Sequence, residues 1–321
     1  MYRKSMTRRI VSIALTAVLF TATLFEGKVN VVAAESREQV SSTTGEAIVM
    51  TETKSISAGD VSGGDISDGD TEKEDEKNIS GESVSSGISR GCAWTIDAEG
   101  NLVVRDSDGT YGTDDWGWLD YKDEIKTADV DITELNVPSR MFAGCTYLKK
   151  AKIKIGKSGE NASEMFLDCI YLENLDLKEF KTNNVKNMKK MFYDCHSINY
   201  LDLSGFDTSN VTDMSSMFGG CGCINYLDLS GFDTSNVTDM SSMFDDCYSL
   251  RRLDLSGFDT SNVTDMSSMF GCCYSLRRLD LSGFDTSNVT DMSSMFGGCD
   301  SLMRLDLSGF DTSNVENMAY M

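Results

Sequence analysis

The segment LDLSGFDTSNVTDMSSMF, residues 201–218, returns letter for letter at 227–244, 253–270 and 279–296, and a fifth copy starting at Leu305 first differs at Glu316. Met-Phe recurs at 141, 165, 191, 217, 243, 269 and 295, with a first step of 24 residues and steps of 26 thereafter. Leu-Asp-Leu recurs every 26 residues from 175 to 305. A fixed period of this size means stacked coils, each burying against its neighbours an apolar face that it cannot bury alone.

One coil can be read in pieces. Leu250, Leu253 and Leu255 follow the L-x-x-L-x-L spacing of a leucine-rich-repeat strand. Alternation points Leu253 and Leu255 inward and Arg252, Asp254 and Ser256 outward. Gly257 lets the chain bend, and Phe258 and Val263 return to the core. Met266, Met269 and Phe270 stand at i, i+3 and i+4, which predicts a short helix capped by Thr264 or Asp265. The fold class is therefore an α/β repeat: a leucine-rich-repeat solenoid of 26-residue coils over residues 137–321. It has a parallel sheet on one face and short helices on the other. The chain stops at Met321, inside a coil.

Repetition turns each position into a column. Cysteine recurs at 145, 169, 195, 221, 247, 273 and 299. Coils stack about 5 Å apart, but the Cβ vectors of such a column run parallel rather than toward each other. Buried thiols are the preferred reading, and some disulfides remain the alternative in a chain with ten cysteines. Asn184, Asn210, Asn236, Asn262, Asn288 and Asn314 form another column, whose amides can satisfy loop backbone from coil to coil. That use competes with the N-V-T glycosylation sequons most of them carry.

Outside the repeats the chain changes character. Residues 1–34 read as a secretory signal peptide: Arg3, Lys4, Arg8 and Arg9, an apolar run from Ile10 to Phe25, and small residues at Val32-Ala33-Ala34. An uncleaved anchor is the alternative, and no later run could cross a bilayer, so the mature chain has no membrane-spanning segment. Residues 35–90 hold 13 acidic and 5 basic residues and no aromatics, the composition of a disordered spacer. Residues 91–136 form a cap module, with CAWTIDAEGNLVVRD as a hairpin and Trp116, Trp118 and Tyr121 covering the first coil. Those rings could instead form a carbohydrate platform. A net charge of −22 argues against a nucleic-acid partner.

The repeat LDLSGFDTSNVTDMSSMF, followed by Gly-Gly-Cys or Asp-Asp-Cys, resembles the BspA-like bacterial surface leucine-rich-repeat proteins. The likeness is close over 165–321, and the WTIDAEGNL and WLDYKDEIK stretches resemble the module preceding repeats in such proteins. The resemblance implies a secreted or cell-surface protein that binds other proteins, often in adhesion to host surfaces or other cells. It brings no catalytic residues and no cofactor.

From the residues, too, catalysis looks poor. His196 is the one histidine and sits beside Cys195 on what would be opposite faces. No P-loop, nucleophile-elbow or zinc-protease motif is present. Function is instead expected in the segments between the identical copies: YDCHSINY, GGCGCINY, DDCYSLRR, GCCYSLRR and GGCDSLMR. Just before each Leu-Asp-Leu the outward residue is Asn174, Tyr200, Tyr226, Arg252, Arg278 or Arg304, two residues from an aspartate. Like charges about 5 Å apart repel by roughly 0.8 kcal/mol in water and about 3 at a dielectric of 20, so the arginines are expected to form an Arg–Asp stripe. Tyr200 and Tyr226 are expected to stack beside Asp202 and Asp228. Tyr200, Asp202, Tyr226, Asp228, Arg252 and Arg278 are thus the candidate contact for an extracellular protein ligand. A second aspartate column, 207 to 311, could gather calcium, but lacks the D-x-D-x-D-G loop. A structural spacer without its own ligand is the competing reading.

Overall fold

The computed structural model describes Val18–Phe25, Lys28–Glu35 and residues 83–321. The first two segments, β1 and β2, form an antiparallel hairpin that falls in the stretch expected to be a leader and runs one residue past its end. The rest of that leader and most of the expected spacer lie outside the described residues. Among the described residues no helix is long and apolar enough to cross a membrane.

The second unit begins with a six-stranded sheet. β3 (Ser83–Ser89) pairs antiparallel with β4 (Cys92–Asp97), which forms a hairpin with β5 (Asn101–Asp106). Order therefore starts before the expected boundary at 91: the serine-rich end of the spacer supplies a polar edge strand. The hairpin turns at Gly100, whose φ of +86° suits glycine and where a Cβ would strike the Glu124 carbonyl. Parallel pairing then runs through β6 (Thr127–Leu135), β7 (Lys150–Ser158) and β8 (Asn174–Phe180).

A short 3-10 helix, Gly117–Tyr121, seats the tryptophans between cap and first coil. Trp94, Trp116 and Trp118 are buried. Their indole N–H groups donate to Ser89 Oγ, the Ser139 carbonyl and the Met141 carbonyl at 3.1, 2.8 and 2.8 Å. Rings so enclosed cannot serve as an open sugar platform; they fix the end of the core.

The coils stack in parallel, but their back is not helical. Met214, Ser216, Phe218 and Gly220 donate their N–H groups to the carbonyls of Asp239, Ser241, Met243 and Asp245 in the next coil, at 3.0, 2.8, 3.0 and 2.8 Å. The intervening Met217, Gly219 and Cys221 donate three residues back within the coil, each at 3.1 Å. Ser216 and Gly220 take φ of +54° and +72°. The expected short helices are thus replaced by successive tight turns. An α-helix would send every N–H to i−4; half of these face a neighbour's carbonyl instead, and so short a segment could not meet the cost of nucleating a helix. The 3, 4 spacing of Met266, Met269 and Phe270 marks a buried face without a helix.

The front strands also shorten. After β8 only β9 (Tyr226–Leu227) and β10 (Arg252–Leu253) pair, with one further bridge from Arg252 to Arg278. In Leu-Asp-Leu-Ser the aspartate Oδ1 accepts the serine N–H, as Asp202 does from Ser204 at 3.1 Å. This Asx turn bends the chain where TADVDITEL and KAKIKIGKS run straight.

The core is built of columns. Phe142, Phe166, Phe192, Phe218, Phe244, Phe270 and Phe296 stack with centroids 5.4–5.8 Å apart and nearly parallel planes. The methionines at 188–295 are fully buried beside them. Column asparagines bond as expected, Asn236 Nδ2 donating to the Ser209 carbonyl at 2.7 Å and its successors likewise. A buried threonine column was not anticipated. Thr234 Oγ1 donates to the Asp259 carbonyl and accepts the Asp259 N–H, both at 2.9 Å.

The column cysteines are free and mostly buried, and from Cys169 to Cys299 each thiol donates to a phenylalanine carbonyl of the preceding coil at 3.1–3.2 Å. Burial pushes the Cys145 thiol up to about 12. Alkylation after non-reducing denaturation, read by mass spectrometry, should label most column cysteines; recovery of nearly all as disulfides would contradict the fold. Thr234→Val should cost about 2–3 kcal/mol by leaving a buried N–H and carbonyl unmet. A urea titration should show the midpoint fall, with Thr234→Ser close to the parent.

Candidate functional site

The outward face of the front sheet carries two rows. The first runs Thr127, Lys150, Asn174 through β6, β7 and β8, and Tyr226, Arg252, Arg278 in the later coils. Tyr200 holds the same position in the coil between them. The second row, two residues on, runs Asp129, Lys152, Asp176 and then Asp202, Asp228, Asp254, Asp280 and Asp306. Alternating charge in the first coils thus gives way to an unbroken acidic column.

Of the expected site residues, Tyr226, Arg252 and Arg278 stand in direct backbone register on three successive coils. Tyr200 and Asp202 lie at one end of a groove of about 680 Å³ that extends over Lys150, Lys152, Asp176 and Lys178. Tyr200 and Tyr226 are 68% and 53% exposed. They do not stack; among the described residues the stacked tyrosine pairs are Tyr147 with Tyr171 at 5.8 Å and Tyr248 with Tyr274 at 5.5 Å. The rings that do stack are exposed as well, at 41–49%.

The expected Arg–Asp stripe is also absent as ion pairing among the described residues. The ion pairs among the described residues lie in the cap and first coils, such as Arg105 with Asp129 at 2.8 Å and Lys154 with Asp131 at 3.2 Å. Each later aspartate turns to its own coil. Ser204 Oγ and N–H hold Asp202 at 2.6 and 3.1 Å, and Ser230 does the same for Asp228 at 2.7 and 3.1 Å. These bonds, the hydroxyl's first, hold both carboxyls below the usual carboxylate range. The aspartates of the 207 to 311 column each accept, on Oδ1, the backbone N–H of Ser209, Ser235, Ser261, Ser287 or Ser313.

His196 is exposed, its Nδ1 3.0 Å from the Asp194 carbonyl, while the Cys195 thiol is buried and donates to the Phe166 carbonyl. The two do not face each other.

Three overlapping stretches, residues 122–227, 160–276 and 247–321, match a family described as Mycoplasma protein of unknown function, DUF285. The chain belongs to the DUF285 family. No curated protein matches it. Among solved structures, a leucine-rich repeat protein from Eubacterium ventriosum is 13% identical over 69% of this chain and 84% of that one, with a TM-score of 0.27. The solenoid description of this DUF285 chain rests on its own coil-to-coil bonds.

Sequence reasoning passed over one cluster in the DUF285 repeats. Asp245, Asp246 and Cys272 bring ligand-capable atoms within 4.8 Å of one another, at positions where two other coils have Gly-Gly. The signal was present in DDCYSLRR and GCCYSLRR, in which equivalent positions change together in adjacent coils. Burial, and then the neighbouring Asp246 carboxylate, push Asp245 up to about 6. An acid whose folded pKa is raised keeps its proton better in the folded state, so stability falls as pH rises from about 4 to 6. Asp245→Asn should remove that fall and raise stability at pH 7 by about 1 kcal/mol, allowing for the solvent that still reaches the group. Thermal melts at pH 4 and pH 7 should show a gain at pH 7 only.

Proposed function

We propose that this DUF285 chain is a secreted or cell-surface bacterial leucine-rich-repeat protein of the BspA-like kind, and that it acts without catalysis by binding other proteins in adhesion to host or other cells. The reading rests on one observation. The 18-residue sentence repeats unchanged while the variable segments place Tyr226, Arg252 and Arg278 side by side in register on the exposed face. Tyrosine and arginine are the residue types that most often dominate protein interfaces. A spacer would not need its coils to present different side chains on this exposed face.

The ligand would be an extracellular protein that lies across the front of the coils, with Tyr200 and Tyr226 as aromatic anchors and Asp202 and Asp228 available to its basic groups. The leader-like N-terminus supports export. A Tyr200→Ala, Tyr226→Ala double variant should bind a partner captured from extracellular protein about thirtyfold more weakly, with its circular dichroism unchanged. Equal binding, alongside loss of binding through folded variants on the turn side, would move the site to the other face.

A further inference from the structure

From residue 191 to 321 the chain has no lysine, nineteen acidic residues and five arginines: Arg251, Arg252, Arg277, Arg278 and Arg304. All five are exposed and all stand just before a Leu-Asp-Leu. The formal cationic charge of these coils is thus confined to one strip of an otherwise acidic molecule.

The structure leaves that strip uncommitted. The other described arginines are engaged: Arg90 donates to the Asp114 and Val137 carbonyls, Arg105 to Asp129 and Arg140 to Glu164. The five in the strip make no such bond and no ion pair among the described residues. Their nearest candidates by sequence, Asp254, Asp280 and Asp306, accept instead from the backbone N–H groups of Ser256, Ser282 and Ser308, at 3.0, 3.0 and 2.9 Å. Arg252 and Arg278 are paired coil neighbours, so their charges repel at a pitch of about 5 Å. Nothing inside the molecule recovers that cost.

Resting on the binding role proposed above, we infer that this strip recognises an extended acidic segment of the protein ligand, laid along the solenoid axis. Guanidinium groups accept carboxylates bidentately, and three coils offer them over about 10 Å. The flanking aspartate column selects the class of anion. A polymer charged on all sides would meet Asp254, Asp280 and Asp306 as well as the arginines. A peptide alternates its side chains, so it can turn carboxylates to the arginine strip and neutral or basic groups to the aspartates.

The test uses the whole chain in 0.15 M salt and two probes: a fluorescent ten-residue peptide of alternating Glu and Ser, and dextran sulfate. The peptide should bind saturably and more tightly than dextran sulfate. Arg252→Gln with Arg278→Gln should weaken it at least tenfold, Arg277→Gln with Arg304→Gln should weaken it at least threefold, and Arg105→Gln should leave it within twofold. No saturable binding by the parent, or equal binding by both double variants, would overturn the inference. Tighter binding of dextran sulfate through the same arginines would overturn the partner class. If the arginine variants still capture an extracellular partner that the Tyr200→Ala, Tyr226→Ala variant loses, this inference fails while the broader binding role stands.

Discussion

The structure depends on the hydrogen-bonded ladder between coils on the turn side. Met214, Ser216, Phe218 and Gly220 each hand an N–H to the next coil, and the same pattern repeats from Arg140 to Ser294. A backbone that turns this tightly exposes polar groups that must be met somewhere, since an unmet buried group costs about as much as a lost hydrogen bond. Here they are met by the neighbour. No coil can close its own bonding, so each makes structural sense only in a stack.

The ladder fixes the spacing, and the spacing explains the columns. Identical residues arrive one above another at a distance where phenylalanine rings stack, where a thiol reaches the previous coil's carbonyl, and where a threonine hydroxyl both gives to and takes from the next aspartate's backbone. Two further columns hold the loops: asparagine amides between coils and Asp-x-Ser turns within them. Three Asp-x-Ser triplets occur in each repeated sentence. They hold the carboxylates on their own coil and spare the arginines from pairing with them.

This division separates fold from function. Most residues that close the stack repeat unchanged between copies, and where they vary, as at Gly220, Asp246 and Cys272, it is the backbone N–H that bonds. The positions just before each Leu-Asp-Leu vary too, and there the side chain points outward. Tyr226, Arg252 and Arg278 occupy that position with no structural duty that the coil-to-coil bonding would notice.

The sequence by itself determined the coil, its 26-residue period, the inward set of Leu, Phe, Val, Met and Cys, the asparagine ladder and the outward row of tyrosines and arginines, because periodicity and alternation are local consequences of stacking. It also placed the hairpin around Gly100 and the tryptophans over the first coil. Only the tertiary structure decided what shape the Met-Ser-Ser-Met-Phe segment takes, because a 3, 4 spacing marks a buried face equally well in a helix and in turns bonded to a neighbour. Only it showed that Asp202 and Asp228 belong to Ser204 and Ser230 rather than to a charge network, that Tyr147 stacks on Tyr171 and Tyr248 on Tyr274 while Tyr200 and Tyr226 do not stack, and that Asp245, Asp246 and Cys272 converge across coils. Each of those outcomes turns on which of several nearby groups a side chain or N–H meets, and that competition is settled by distances between coils that a linear sequence does not contain.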